Sequence, residues 1–221
     1  HRMRQVGIFI YEGVQALDVI GPLEALFAAS NYASEPAYNL QTISVDGKKV
    51  RSETGISLGA DKAAKDISEL HTLIIPGGAT ARNVPVNPEV VAAVNHLASR
   101  TRRLVSVCTG AFLVAEAGLA HGKRVATHWK FAHDLAARFP DIEVDGAHLY
   151  VCDDGFYSSA GILAGIDLTL ALIESDVSEA VAMSVARELV IYLRRTGGQA
   201  QFLWQIEGKG IRRAYTKKGT P

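Results

Sequence analysis

Cys108 is the side chain in this sequence best suited to covalent chemistry, because of what surrounds it. In the run Leu104–Ala111, LVSVCTGA, the apolar residues Leu104, Val105 and Val107 end in the cysteine, and Thr109, Gly110 and Ala111 follow at once. This order predicts a strand, a sharp turn and a helix. A cysteine at a helix N-terminus meets unpaired backbone N–H groups and the positive end of the helix dipole, which lower a thiol pKa and expose the sulfur. The same amides suit an oxyanion. The pattern is therefore a nucleophile elbow with cysteine in the place of serine. The plainer alternative is a small hydrophobe buried at a strand end, as most free cysteines are.

A cysteine nucleophile also needs a proton carrier and a place for developing charge. In open α/β sheets ligands bind beyond the carboxyl ends of the strands, so residues that follow strands are expected to converge there. Gly77-Gly78 follows one strand, Cys108-Thr109 the next, and His128 the one after, while Asp18 lies shortly beyond the first. The N–H groups of Gly78 and Thr109 are the expected oxyanion donors, since a Gly-Gly turn lets backbone approach a ligand closely. An ordinary turn is the other reading of Gly77-Gly78. Asp18 is an acid in the otherwise apolar stretch Val14–Leu26, which suits burial and a raised pKa; a first-turn acid satisfying amides is the alternative. His128 is read as base or polar orienter, or as a structural histidine. Ser159, at the end of a strand, is placed with Gly77, Gly78 and Thr109 among the ligand contacts. His128 and His133 lack the supporting cysteines or acids of a metal site, and neither glycine-rich phosphate motif occurs, so no metal or cofactor is expected.

The elements that must position these residues alternate. Gln5–Ile10 reads as a buried strand and Val14–Leu26 as an apolar helix that Gly21-Pro22 weakens, so that it is expected to begin as a turn and restart at Pro22. Tyr38–Val45 reads as a strand, Lys49–Leu58 as a hairpin and His71–Ile75 as a short buried strand. Asn87-Pro88-Glu89 opens a helix to about Ser99, and the helix after Cys108 stops at Gly118. Arg124–Thr127 is a strand, Trp129–Phe139 an amphipathic helix, and strands follow around Ala147–Cys152 and Phe156–Ser159. Gly161–Glu174 and Ser178–Arg194 carry the strongest helical spacing. The expected fold class is α/β, a three-layer sandwich with a mainly parallel sheet and helices on both faces.

With 221 residues the chain suits one domain, placed at 4–202, with a basic tail or linker remnant at 203–221. The 23 Lys+Arg balance 23 Asp+Glu, so no general attraction to nucleic acid or anionic membrane is expected. The cysteines, Cys108 and Cys152, are too few for a disulfide framework; no signal peptide or membrane span is read, and the expected location is the cytoplasm. His1-Arg2 ahead of Met3 reads as a tag remnant.

The chain resembles the ThiJ/PfpI superfamily, cysteine-elbow relatives of the class I glutamine amidotransferases, from Val6 to Phe202. ALDVIGPLEAL (Ala16–Leu26), IIPGG (Ile74–Gly78), VCTGAF (Val107–Phe112) and ATHW (Ala126–Trp129) are similar to the branch shared by isocyanide hydratases and GlxA-type AraC-family regulators. The resemblance to the hydratases implies attack by Cys108 with Asp18 assisting. Phe156–Glu174 and Val185–Phe202 look more like the regulators, in which the domain is a sensor ahead of a helix-turn-helix pair. The stretch after Phe202 has no recognition-helix pattern, so any specific DNA contact is expected to need a C-terminal domain this chain lacks. The resemblance thus implies a small-molecule sensor, dimeric, of a transcription regulator. A cysteine-dependent hydratase or hydrolase, and oxidation sensing at Cys108, are the other expectations.

Overall fold

The computed structural model describes residues 3–189. The tail at 203–221, the domain boundary at 202 and the end of the last expected helix lie outside the described residues.

In chain order the elements are β1 (Arg4–Phe9), α1 (Ala16–Tyr32), β2 (Tyr38–Ser44), β3 (Val50–Arg51), β4 (Ser57–Leu58), β5 (Lys62–Ala63), β6 (Leu70–Ile75), α2 (Pro88–Ala98), β7 (Thr101–Val107) and α3 (Gly110–Glu116). Then come β8 (Arg124–Ala126), α4 (Ala132–Arg138), β9 (Glu143–Asp145), β10 (Tyr150–Asp153), β11 (Phe156–Ser159), α5 (Ile162–Asp176) and α6 (Glu179–Glu188). The central sheet runs β10-β11-β7-β6-β1-β2-β5; only the β10–β11 pair is antiparallel. Helices α1, α5 and α6 pack on one another, and α2 packs with α3 against β6 and β7. This is a mainly parallel sheet covered by helices, the three-layer α/β sandwich. Its central strands are apolar on both faces because both are covered: Val6, Ile8 and Phe9 of β1 and Leu73, Ile74 and Ile75 of β6 are all buried.

Chain reversal divides the connections. From β1 the path through α1 leads to β2 on one side, and from β6 the path through α2 leads to β7 on the other. The loops after β1, β6 and β7 therefore diverge at one end of the sheet and leave a crevice between them.

Local signals held where the chemistry is local. Asn87 caps α2, its side chain accepting the Glu89 N–H, with Pro88 in the first turn. Ser178 caps α6 by accepting from Val181 N–H. One expectation is corrected: α1 does not restart at Pro22 but runs unbroken from Ala16 to Tyr32. Pro22 lies inside the helix, in its second turn, and removes one ladder bond, to the Asp18 carbonyl, while Val19, Ala25, Leu26 and Ala29 are buried along its length. Burial of that face outweighs one missing hydrogen bond. A second correction concerns Trp129–Phe139, which is a 3-10 turn over Trp129–Phe131 followed by α4. The short strands β5 and β9 had no sequence signal.

Candidate functional site

Cys108 stands between β7 and α3 with φ 56°, the left-handed region that an L-residue adopts only when its surroundings hold it there. They do so from both sides. Its N–H donates to the Ser159 carbonyl (3.1 Å), and its own carbonyl accepts the buried Thr127 hydroxyl (2.9 Å). The small residues that follow are required by the turn's path: a Cβ on Gly110 would lie 2.1 Å from the Ile75 carbonyl oxygen. The elbow thus turns directly beneath the end of β6.

The Gly77-Gly78 turn lies on top of the elbow. A Cβ on Gly77 would meet the Thr109 hydroxyl at 2.7 Å, the Thr109 nitrogen at 2.8 Å and Asp18 Oδ2 at 2.9 Å. A Cβ on Gly78 would meet the Gly13 carbonyl oxygen at 2.4 Å. Only glycines let the β1–α1 loop, the β6 loop and the elbow close on one another.

Asp18 is fully buried in the first turn of α1. Its Oδ2 accepts the Gly77 N–H (3.0 Å), and its Oδ1 has no hydrogen-bond partner among the described residues. Burial raises its pKa to about 7, against the lowering effect of the Gly77 bond, and Glu53 adds to the rise. The expected lowered thiol pKa at Cys108 is overturned. Burial pushes it up to about 12, the Asp18 charge adds to this, and the Thr109 N–H and hydroxyl only partly oppose it. Desolvation of a residue only 5% exposed outweighs the few amides of the helix start.

The oxyanion donors divide. Thr109 N–H faces the sulfur, but Gly78 N–H is already engaged, donating to the Thr109 hydroxyl at 3.0 Å. A ligand anion reaches it only by displacing that hydroxyl. His128 lines the same cavity as Cys108. Its Nδ1 accepts the Lys130 N–H (3.1 Å), which leaves the neutral ring a donor at Nε2, and burial, then Lys130, holds its pKa below the usual range. In this arrangement the ring presents its N–H, and not its lone pair, at Nε2. Ser159 is not among the residues that line the cavity. Its side chain is fully buried, packed toward Gly165 of α5, and its contribution is the backbone carbonyl that holds Cys108.

Together these loops enclose a cavity of about 530 Å³, with Cys108, Thr109 and Gly78 on its floor and Trp129, Phe131 and Leu163 among its apolar walls. Four polar members had no signal in the sequence: Gln15, Glu53, Arg82 and Lys130. Each sits in a loop that only the fold brings to Cys108. Tyr11 had none either; its buried hydroxyl donates to the Pro76 carbonyl (2.7 Å) and its pKa is raised, first by burial and then by Asp18 and Cys108. Among the described residues no cluster of three or more His, Cys, Asp or Glu could hold a metal ion, and no helix is long and apolar enough to cross a membrane.

The chain is similar to several known proteins. Isonitrile hydratase of Pseudomonas putida is 32% identical over 185 residues, covering 84% of this chain and 77% of that protein. The HTH-type transcriptional regulator GbdR of Pseudomonas aeruginosa is 25% identical over 191 residues, covering 86% of this chain and 51% of the regulator, so the chain spans about half its length. The structure of an AraC family transcriptional regulator from Pseudomonas putida superposes with a TM-score of 0.73 at 22% identity, covering 84% of this chain and 99% of that one, a likeness of fold. The model of the DJ-1/PfpI family matches residues 4–175, the whole span from β1 through nearly all of α5, and the chain belongs to that family.

Proposed function

We propose that this chain is the ligand-sensing part of an AraC-type transcriptional regulator and that it binds a small metabolite in the cavity at Cys108. The observation that carries the reading is the cavity itself, about 530 Å³, apolar along much of its wall with a few convergent polar groups. The resting chemistry suits binding more than attack. Burial keeps the thiol protonated, and His128 has its lone pair engaged. Several relatives are HTH-type transcriptional regulators about twice as long as the segment they share with this chain. The sensor then works as a cytoplasmic homodimer and reaches DNA through a helix-turn-helix domain outside this sequence.

A second reading, a cysteine-dependent hydratase or hydrolase, is favoured by Asp18, whose partnerless Oδ1 is buried near Cys108, and by the likeness to isonitrile hydratase. In it Asp18, protonated below about pH 7, gives its proton to the substrate as the Cys108 sulfur adds to the substrate carbon and then takes up the thiol proton, so that S–H is added overall; water next attacks the same carbon, the S–C bond breaks and the thiol is restored. Two assays separate the readings. In a thermal-shift screen of amino acids, betaines and other nitrogenous metabolites, the sensor reading expects at least one ligand to raise the melting temperature, because binding the native state stabilises it. No shift with any of them counts against it. Incubation with an isonitrile panel tests the other; equal conversion by the wild type and Cys108→Ala rules out cysteine catalysis.

A further inference from the structure

Glu53 lies in the β3–β4 turn, far along the chain from every other residue of the site, yet it lines the cavity that Cys108 lines. The turn is fastened where it lies. Gly13 N–H donates to the Arg51 carbonyl (2.9 Å), Glu53 N–H to the Val14 carbonyl (2.9 Å), and Arg51 N–H to Glu12 Oε1 (3.2 Å). Its side chain completes the attachment: Glu53 Oε2 accepts the Ala79 N–H at 3.2 Å. Ala79 follows Gly78, whose own N–H is held by Thr109, the neighbour of Cys108. The carboxylate is thus one step removed from the elbow.

We propose that Glu53 is a positioning residue of the Cys108 site: its carboxylate clamps the Gly78–Ala79 turn and places on the cavity wall a fixed negative charge that disfavours anionic ligands and reagents. The inference rests on taking this cavity as the working site, but not on whether the site senses or catalyses. The charged and titratable groups around the sulfur are Asp18 from α1, Tyr11 beyond β1, Glu53 from the turn, Arg82 beyond β6, and His128 and Lys130 beyond β8. The two cations are drawn to Phe131: the Arg82 guanidinium lies 3.7 Å from its ring centroid and the Lys130 amine 5.7 Å. No ion pair joins either to Glu53 among the described residues. At these three groups the Glu53 charge acts in one direction, raising the pKa of Asp18, Cys108 and Tyr11 alike.

A thiol reagent pair tests this in the ligand-free protein, so the outcome is independent of any ligand or turnover. Cys108 is alkylated at low ionic strength with neutral iodoacetamide or anionic iodoacetate, and the modified peptide is quantified by mass spectrometry. Glu53→Gln removes the charge and keeps an oxygen to accept from Ala79. It is expected to lower the iodoacetamide-to-iodoacetate rate ratio by roughly threefold or more, an effect that fades in 0.5 M salt as screening shortens. It is also expected to move the pH profile of alkylation to lower pH. Glu53→Asp keeps the charge on a shorter arm and should retain the wild-type ratio while losing the clamp, with a lower melting temperature. A ratio and pH profile in Glu53→Gln equal to wild type, including a thiol equally inert in both, overturn the proposal. A thermal-shift screen without a hit would instead fall on the sensor reading alone.

Discussion

Asp18 and Cys108 share a buried site in which neither is easily ionised, and the Asp18 charge adds to the cost for Cys108. For Asp18 the pKa rises from 3.8 to about 7, which corresponds to roughly 4 kcal/mol between its folded and unfolded states. The sign follows from the direction. A carboxyl whose folded pKa lies above its unfolded value contributes most below pH 3.8, and that contribution is lost as pH rises toward 7. Asp18→Asn keeps an acceptor for Gly77 N–H and cannot ionise. Its urea-denaturation stability is therefore expected to gain on wild type by a few kcal/mol between pH 4 and pH 7.5; parallel profiles would contradict the raised pKa. For Cys108, with a pKa of about 12, alkylation by iodoacetamide is expected to be slow at pH 7 and still climbing at pH 10. A plateau near pH 7 would show the lowered pKa that the helix-start position suggests.

At the scale of elements the site depends on how closely loops can cross. Gly110 passes 2.1 Å, measured from a notional Cβ, beneath the Ile75 carbonyl oxygen at the end of β6, and that neighbour is backbone, which cannot move aside cheaply. Gly110→Ala is expected to destabilise the fold by roughly 3 kcal/mol or more, with chemical denaturation as the measure. Gly165→Ala should act more mildly, since the 2.8 Å contact there is a Val107 methyl group and α5 can shift slightly from β7. The strand-turn-helix at Cys108 was legible because the types of consecutive residues dictate it. Glu53 was not, because a turn acid reaches this cavity only through the path of β3 and β4. Nor was the bond between Gly78 and Thr109, for an N–H that looks free in sequence is taken up in space by the hydroxyl oxygen of the neighbouring loop.

Over the whole molecule, the end of the sheet opposite the site is locked by a buried ion pair. Arg103 of β7 donates from both terminal nitrogens to Asp176 at the end of α5 (2.9 and 2.7 Å), and the Tyr38 hydroxyl donates to the same carboxylate at 2.7 Å. The Arg103 Nε donates to the Thr72 hydroxyl (3.0 Å), so the guanidinium spans β6, β7 and α5. Asp176→Asn leaves a buried cation without its counter-charge and is expected to cost roughly 3 kcal/mol in urea denaturation. These hydrogen bonds hold the Asp176 pKa below the usual carboxylate range despite burial. That contribution is present above the unfolded value and lost as pH falls through the folded one, the reverse of Asp18. A variant as stable as wild type at pH 7 would show that the pair does not tie the helix to the sheet.

The sequence by itself determined the alternation of strands and helices, the turn at Cys108, the caps at Asn87 and Ser178, and the membership of Cys108, Asp18, Gly77, Gly78, Thr109 and His128 in one neighbourhood. These follow from local backbone preferences and from the rule that loops at one end of a parallel sheet converge. Tertiary structure alone decided the state of the groups. Whether the thiol is acidic depends on how much water the closing loops exclude, and here exclusion outweighs the helix start. Whether an N–H is free depends on the next loop, and whether Pro22 breaks a helix depends on the surface that helix buries. Solvation and long-range contact are sums over the folded chain, and no local window contains them.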